Sequence, residues 1–293
     1  MNQSNLSPAL LILLLLNVLL VSCTHNRAMG PAIFAGHLPH LKSTEIKCEI
    51  DGREYRISAD AEGRFNMTLD ITRPRYPWFN GINKNLYLLP GDSLYIASGT
   101  SLEFSGGESG LINTYYSAMD AHLELLLDTV DIKWYYSQEP GSYMDMNKQL
   151  ITDFTGRLDS YVSENPGIGK DFISLEKERI RHYWLYELNV YDDEYKAYTG
   201  KAPDLPVDFY GYLENVRLND TTLFMFPGYR YFLYSWVDLQ ARLAGIPWKG
   251  YGETHAILDI SENSFTEPAI QSDVVRDIMR KQTSRIKVDE EAI

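Results

Sequence analysis

The feature that most constrains this chain is a change of hydrophobic period at Gly107. Before it, apolar residues recur at every second position; after it, they recur at every third or fourth. A period of two belongs to a half-buried strand, and a period near 3.6 to an amphipathic helix. A chain with the two patterns in separate blocks is expected to be α+β, with sheet and helices segregated. The expectation is an N-terminal antiparallel β-sandwich-like domain over residues 32–105, followed by an α-helical array over residues 106–293.

Within the first block, Thr44 to Ile50 alternates strictly, with Ile46, Cys48 and Ile50 on one side. Asp51-Gly52 follows, a pair suited to a two-residue hairpin turn because both positions want positive φ. Arg53 to Ala59 returns with Tyr55, Ile57 and Ala59 on one face, and Arg64 to Ile71 repeats the pattern with Phe65, Met67, Leu69 and Ile71. These three segments predict an antiparallel meander with one apolar side. Strands near 77–80, 85–89, 93–97 and 101–104, with a turn at Pro90-Gly91-Asp92, are expected to cover that side. Cys48 falls on the inward face and reads as a small core residue. No His or basic cluster flanks it closely enough to argue a reactive thiol.

In the second block, Leu111, Tyr115, Met119, His122 and Leu126 predict a first helix. Further helices are expected over Ser142–Glu164, Asp171–Tyr198, Val207–Leu218, Tyr229–Ala244 and Pro268–Gln282, punctuated by Pro and Gly.

Ahead of both blocks lies an apolar run, Ala9 to Cys23, broken by Asn17. It is shorter than the roughly 20 residues a membrane span needs, and fits the apolar region of a signal peptide better. An uncleaved anchor helix is the alternative; a buried core helix fits less well, because the run has no polar face. MNQSNLSP lacks the Lys or Arg of a standard signal. Leu20-Val21-Ser22-Cys23 resembles a bacterial lipobox. The expectation is a lipoprotein signal peptide over residues 1–22, lipidation of Cys23, and a tether over residues 23–31. Each buried acyl methylene contributes about 0.8 kcal/mol, and stable anchoring needs two or more chains. Thr24, His25, Asn26 and Arg27 include no acid, which favours a periplasm-facing place in a bacterial cell envelope over a surface one.

The net charge of −13 opposes nucleic-acid phosphates and anionic headgroups, so nucleic-acid binding is set aside. The two cysteines form no C-x-x-C, so the sequence offers neither a thioredoxin-type redox pair nor a zinc knuckle. Glu178 and His182 share a spacing that could face a metal, but two ligands make no site. Asp192-Asp193-Glu194 lacks the spaced ligands and glycine of a calcium loop. Ser105 to Gly110 could cradle a phosphate ahead of a helix, but Glu108 opposes an anion, so it reads as a strand-to-helix linker with Ser109 as N-cap. No nucleophile elbow or P-loop is present, so no catalytic residue, metal or cofactor is assigned. An aromatic segment, Phe224 to Trp248, is either core or a ligand patch for a sugar or peptide, with Tyr231, Tyr234 and Trp236 as its candidates.

Two stretches carry a wider likeness: Pro90-Gly91-Asp92-Ser93-Leu94, and the junction from Phe104-Ser105-Gly106 to Ile112-Asn113-Thr114-Tyr115-Tyr116. With the lipobox and the Tyr-rich helical region, they resemble the N-terminal half of Bacteroidota envelope lipoproteins of the TlpA-like thioredoxin group. The resemblance implies a β domain and a helical segment ahead of a thioredoxin domain, whose W-C-x-x-C site has no counterpart in this sequence. No catalytic residue carries over. The expected role is a membrane-anchored, non-catalytic binding or scaffold module with a protein, peptide or glycan partner. The alternatives are a truncated or trans-acting component of a thiol-disulfide oxidoreductase, with Cys48 as its thiol, and a carbohydrate- or peptide-binding module.

Overall fold

The structure is a computed structural model that describes residues 30–41, 45–99, 101–246 and 251–291. Cys23 and the preceding apolar run lie outside the described residues.

The chain is α+β, as its periodicity predicts. A four-stranded sheet has the order β4-β1-β7-β8, from β1 (Ala32–His37), β4 (Arg64–Leu69), β7 (Ser93–Ser98) and β8 (Leu102–Gly106). Facing it is the hairpin of β2 (Glu45–Ile50) and β3 (Arg53–Ser58), extended at Lys47 and Asn80 by the small ribbon β5 (Trp78–Phe79) and β6 (Lys84–Asn85). Phe34, Phe65, Leu94 and Ile96 from the sheet meet Ile46, Cys48, Ile50 and Ile57 from the hairpin in one core. Phe79 fills the middle, with its ring 4.7 Å from that of Phe34.

The hairpin turn forms where expected, with Asp51 at φ 52° and Gly52 at φ 75°. Three other expectations are corrected. The strand from Arg64 does not complete a meander with β3, but crosses to pair antiparallel with β1. The pairing of β1 with β7 is parallel, so the sheet is mixed rather than antiparallel throughout. And β1 itself, central in the sheet, has no counterpart among the expected strands. Its inward positions are Ala32, Phe34 and Gly36, two of them too small to register as apolar alternation. Gly36 is required by packing: a Cβ there would lie 2.4 Å from the Ile96 carbonyl oxygen and 2.7 Å from the Phe65 ring.

Among the described residues seven helices follow: α1 (Glu108–Thr129), α2 (Ile132–Tyr136), α3 (Pro140–Glu164), α4 (Lys170–Thr199), α5 (Pro227–Leu243), α6 (Tyr251–Ser264) and α7 (Pro268–Glu291). Proline at the first turn starts α3 and α5, and Gly200, left-handed at φ 74°, ends α4. The helix expected over Val207–Leu218 is instead one 3-10 turn, Gly211–Asn215. Pro206 precedes the segment and Gly211 interrupts it; Val207 is fully exposed, while Phe209, Tyr212, Leu213 and Val216 pack onto the core from non-helical turns and the 3-10 turn. The short α2 and all of α6 were not expected.

The two blocks are joined by side chains, not only by the chain. Asn113 on α1 donates from Nδ2 to the Tyr87 carbonyl at 2.8 Å and accepts the Tyr87 N–H at 2.9 Å. Its amide thus fills the place of a neighbouring strand. The Ser109 hydroxyl accepts the Leu89 N–H at 3.2 Å. Asp92, in the turn before β7, accepts the backbone N–H groups of Ser93 at 2.8 Å and Ser109 at 2.6 Å. The N-cap residue is therefore Gly107, with the capping carboxylate supplied from the strand side. Ser109 lies inside the helix, which corrects its assignment as the cap. A Cβ at Gly107 would clash with that carboxylate. Tyr87 and Leu89 are packed into the helical core with Tyr115, Tyr116, Phe172 and Phe226, so no gap separates sheet from helices.

Replacing Asn113 with Ala removes its hydrogen bonds to the buried N–H and C=O of Tyr87, at about 1–3 kcal/mol for such groups. Chemical denaturation should show a loss of about 2–3 kcal/mol for N113A. Thr114→Val, on the exposed side of the same turn, should stay within about 0.5 kcal/mol of wild type.

Candidate ligand pocket

Helix α4 runs along the centre of the helical block, and one of its faces carries Phe172, Glu176, Ile180, Trp184, Glu187 and Tyr191 at helical spacing. Two carboxylates therefore sit on an otherwise apolar and aromatic inward stripe. Where α1, α2 and α3 pack beside α4 they leave a cavity of about 240 Å³. Its apolar wall comes from Met119, Leu123 and Leu126 on α1, Ile132 on α2, and Leu150, Ile151 and Phe154 on α3. Beside its mouth, Leu127, Val130 and Ile132 are exposed.

At one end of the cavity the Arg179 guanidinium holds Glu176 in a fork, Nε to Oε2 at 2.6 Å and Nη2 to Oε1 at 2.7 Å. Glu176 is fully buried, and it also accepts the hydroxyls of Tyr115 at 2.9 Å and Tyr116 at 3.1 Å. Burial works against the charge on Arg179, and Glu176 more than restores it. Asp120 lines the same end and is paired with Lys84 at 2.6 Å.

At the other end, about 12 Å away by two turns of helix, Glu187 has a different environment. Its Oε2 accepts the hydroxyls of Tyr136 at 3.0 Å and Tyr143 at 3.1 Å. Burial pushes this carboxyl above the usual range; hydrogen bonds from Tyr136, Tyr143 and Tyr183 pull it partly back, and Glu194 adds to the rise. The rings of Tyr135, Tyr136 and Tyr143 cluster here, with centroids 4.9 to 6.0 Å apart.

The residues singled out in the sequence lie elsewhere. Cys48 is buried in the β core, where desolvation pushes its thiol up to about 12. Tyr231 is exposed, Tyr234 donates to Asp273, and Trp236 is buried with its ring 5.8 Å from Phe265. The aromatic patch is thus divided: the two tyrosines share a shallow cleft with Arg230 and Arg276, and the tryptophan belongs to the core. His182 is fully buried and donates from Nδ1 to the Glu178 carbonyl at 2.7 Å, while the Glu178 carboxylate turns to Arg181. Asp192 and Asp193 both face Arg242. The helix terminus after Ser105–Gly110 is already filled by the Asp92 carboxylate.

Arg179 and Glu187 escaped the sequence reading. The available signal was the placement of charges at positions 176 and 187, on the stripe that should be apolar. Among the described residues no helix is long and apolar enough to cross a membrane. Comparison with protein-family models, curated proteins and solved structures gives no match to this chain.

Because folding raises the Glu187 pKa, the folded chain keeps a proton that the unfolded chain loses just above pH 4.5, its ordinary value. Stability therefore falls as pH rises through that window. Glu187→Gln removes this dependence and keeps an oxygen to accept both tyrosine hydroxyls. The melting temperature of E187Q should exceed that of wild type at pH 7, and the gap should close near about pH 4.

Proposed function

We propose that this chain is a lipid-anchored module of the bacterial cell envelope, fixed through Cys23, that binds an apolar ligand without transforming it. The observation that carries this reading is the cavity among α1–α4, whose lining is mainly apolar and includes the exposed Leu127, Val130 and Ile132. Pockets of this kind bind by removing apolar ligand surface from water, with a few polar groups fixing orientation. The Arg179–Glu176 fork is engaged in structural hydrogen bonds, which suits a wall better than a reacting centre.

The likeness to TlpA-like lipoproteins supports the envelope setting. It rests on residues whose local roles are structural: Asp92 caps α1, and Asn113 joins α1 to Tyr87. A trans-acting redox role for Cys48 is disfavoured, because a buried thiol held at about 12 carries almost no thiolate at neutral pH.

The test is calorimetric titration with n-octanol, a neutral ligand matched to the cavity's size, on wild type and on a variant that fills the pocket. Wild-type protein should bind one octanol per chain, and Leu126→Trp should weaken binding at least tenfold with its thermal transition retained. Equal octanol binding by the two proteins would contradict the reading. Intact mass of protein recovered from bacterial membranes should show acyl chains on Cys23; an unmodified sulfur there would remove the anchor from the account.

A further inference from the structure

The pocket has charge as well as shape, and the two ends differ in how that charge is balanced. Arg179 is matched by Glu176, and Asp120 by Lys84. Glu187 is held by tyrosine hydroxyls, and among the described residues no salt bridge reaches it. The one acidic group in the cavity without a cation is therefore at the α2–α4 end. A cluster of tyrosine rings surrounds it, and aromatic faces attract cations, most strongly where water is excluded.

We propose that the pocket takes an amphipathic primary amine, with its ammonium at Glu187 beside Tyr135, Tyr136 and Tyr183 and its alkyl stem along the apolar wall of α1 and α3. This rests on the binding function proposed above and names the ligand class for the same cavity. A carboxylate that only accepts hydrogen bonds favours a head that only donates, and an ammonium has three donors and no acceptor. An anionic head would meet Glu187 directly, and Arg179 at the far end is already engaged by Glu176. A neutral head would leave the carboxylate uncompensated when it ionises. The stem length follows from volume. A cavity of about 150 Å³ holds a benzene ring, so about 240 Å³ suits a chain of roughly eight carbons by the same scale.

The experiment is calorimetric titration of the purified full chain at pH 7 with n-octylamine, n-octanol and octanoate. Octylamine should bind at one site per chain, at least tenfold tighter than octanol, with octanoate weakest. Glu187→Gln should weaken octylamine at least tenfold and leave octanol within about twofold. Octanol or octanoate binding as tightly as octylamine, or E187Q binding the amine like wild type, would overturn the amine assignment and leave the apolar pocket standing. If none of the three binds, the pocket is not a ligand site, and both readings fall. Should E187Q fail to fold, the ranking of the three heads on wild-type protein decides the question.

Discussion

A single side-chain amide stands where a β-strand would otherwise have to be. Asn113 satisfies both backbone groups of Tyr87, which leaves Tyr87 and Leu89 free to turn their side chains into the helical core. Asp92 fixes the same corner from the other side by capping α1 with a carboxylate from the β7 turn. With α1 set at this angle, α4 packs across it through Tyr115, Tyr116 and Phe172, and the remaining helices pack on α4 and α5. The direction of α1 also sets the pocket, since α1 supplies one wall and α4 the opposite one. Loss of the corner would cost an N-cap worth about 1 kcal/mol and two buried hydrogen bonds. It would also loosen the wall on which ligand binding depends.

Much of the architecture is legible from local chemistry. Asp51-Gly52 specifies its turn by backbone conformation alone, and the long stripe from Ile173 to Tyr191 specifies α4. What local pattern cannot express is pairing between distant segments. The strand from Arg64 alternates correctly, but its partner is β1, whose two large apolar residues, Ile33 and Phe34, fall on opposite faces and give no alternation. Its inward Gly36 has no side chain because Phe65 and the Ile96 carbonyl occupy the space one would fill. The segment after Pro206 shows the opposite failure. Its apolar residues suit a helix, but they pack onto the core with only a single 3-10 turn formed.

The pocket was hidden for a related reason. A charge within a helical stripe can lie at its edge or at its centre, and spacing alone does not separate the two. Glu176 and Glu187 lie at the centre and are buried. Their treatment differs: one is forked by an arginine, and the other is held by phenol hydroxyls. That asymmetry gives the cavity an uncompensated acidic end. The aromatic residues flagged in the sequence, Tyr231, Tyr234 and Trp236, lie on α5, outside this pocket, and serve packing and an exposed cleft.

The claim that one corner couples sheet to helices is tested most directly by native-state hydrogen exchange at the Tyr87 amide. That N–H has a side-chain acceptor on α1 rather than a strand partner. If the corner is a structural keystone, Tyr87 should exchange only through global unfolding, with the same opening free energy as the core amides of Phe34 and Leu185. Exchange at Tyr87 through a local opening well below the global value would show that sheet and helices part independently, and would contradict the account.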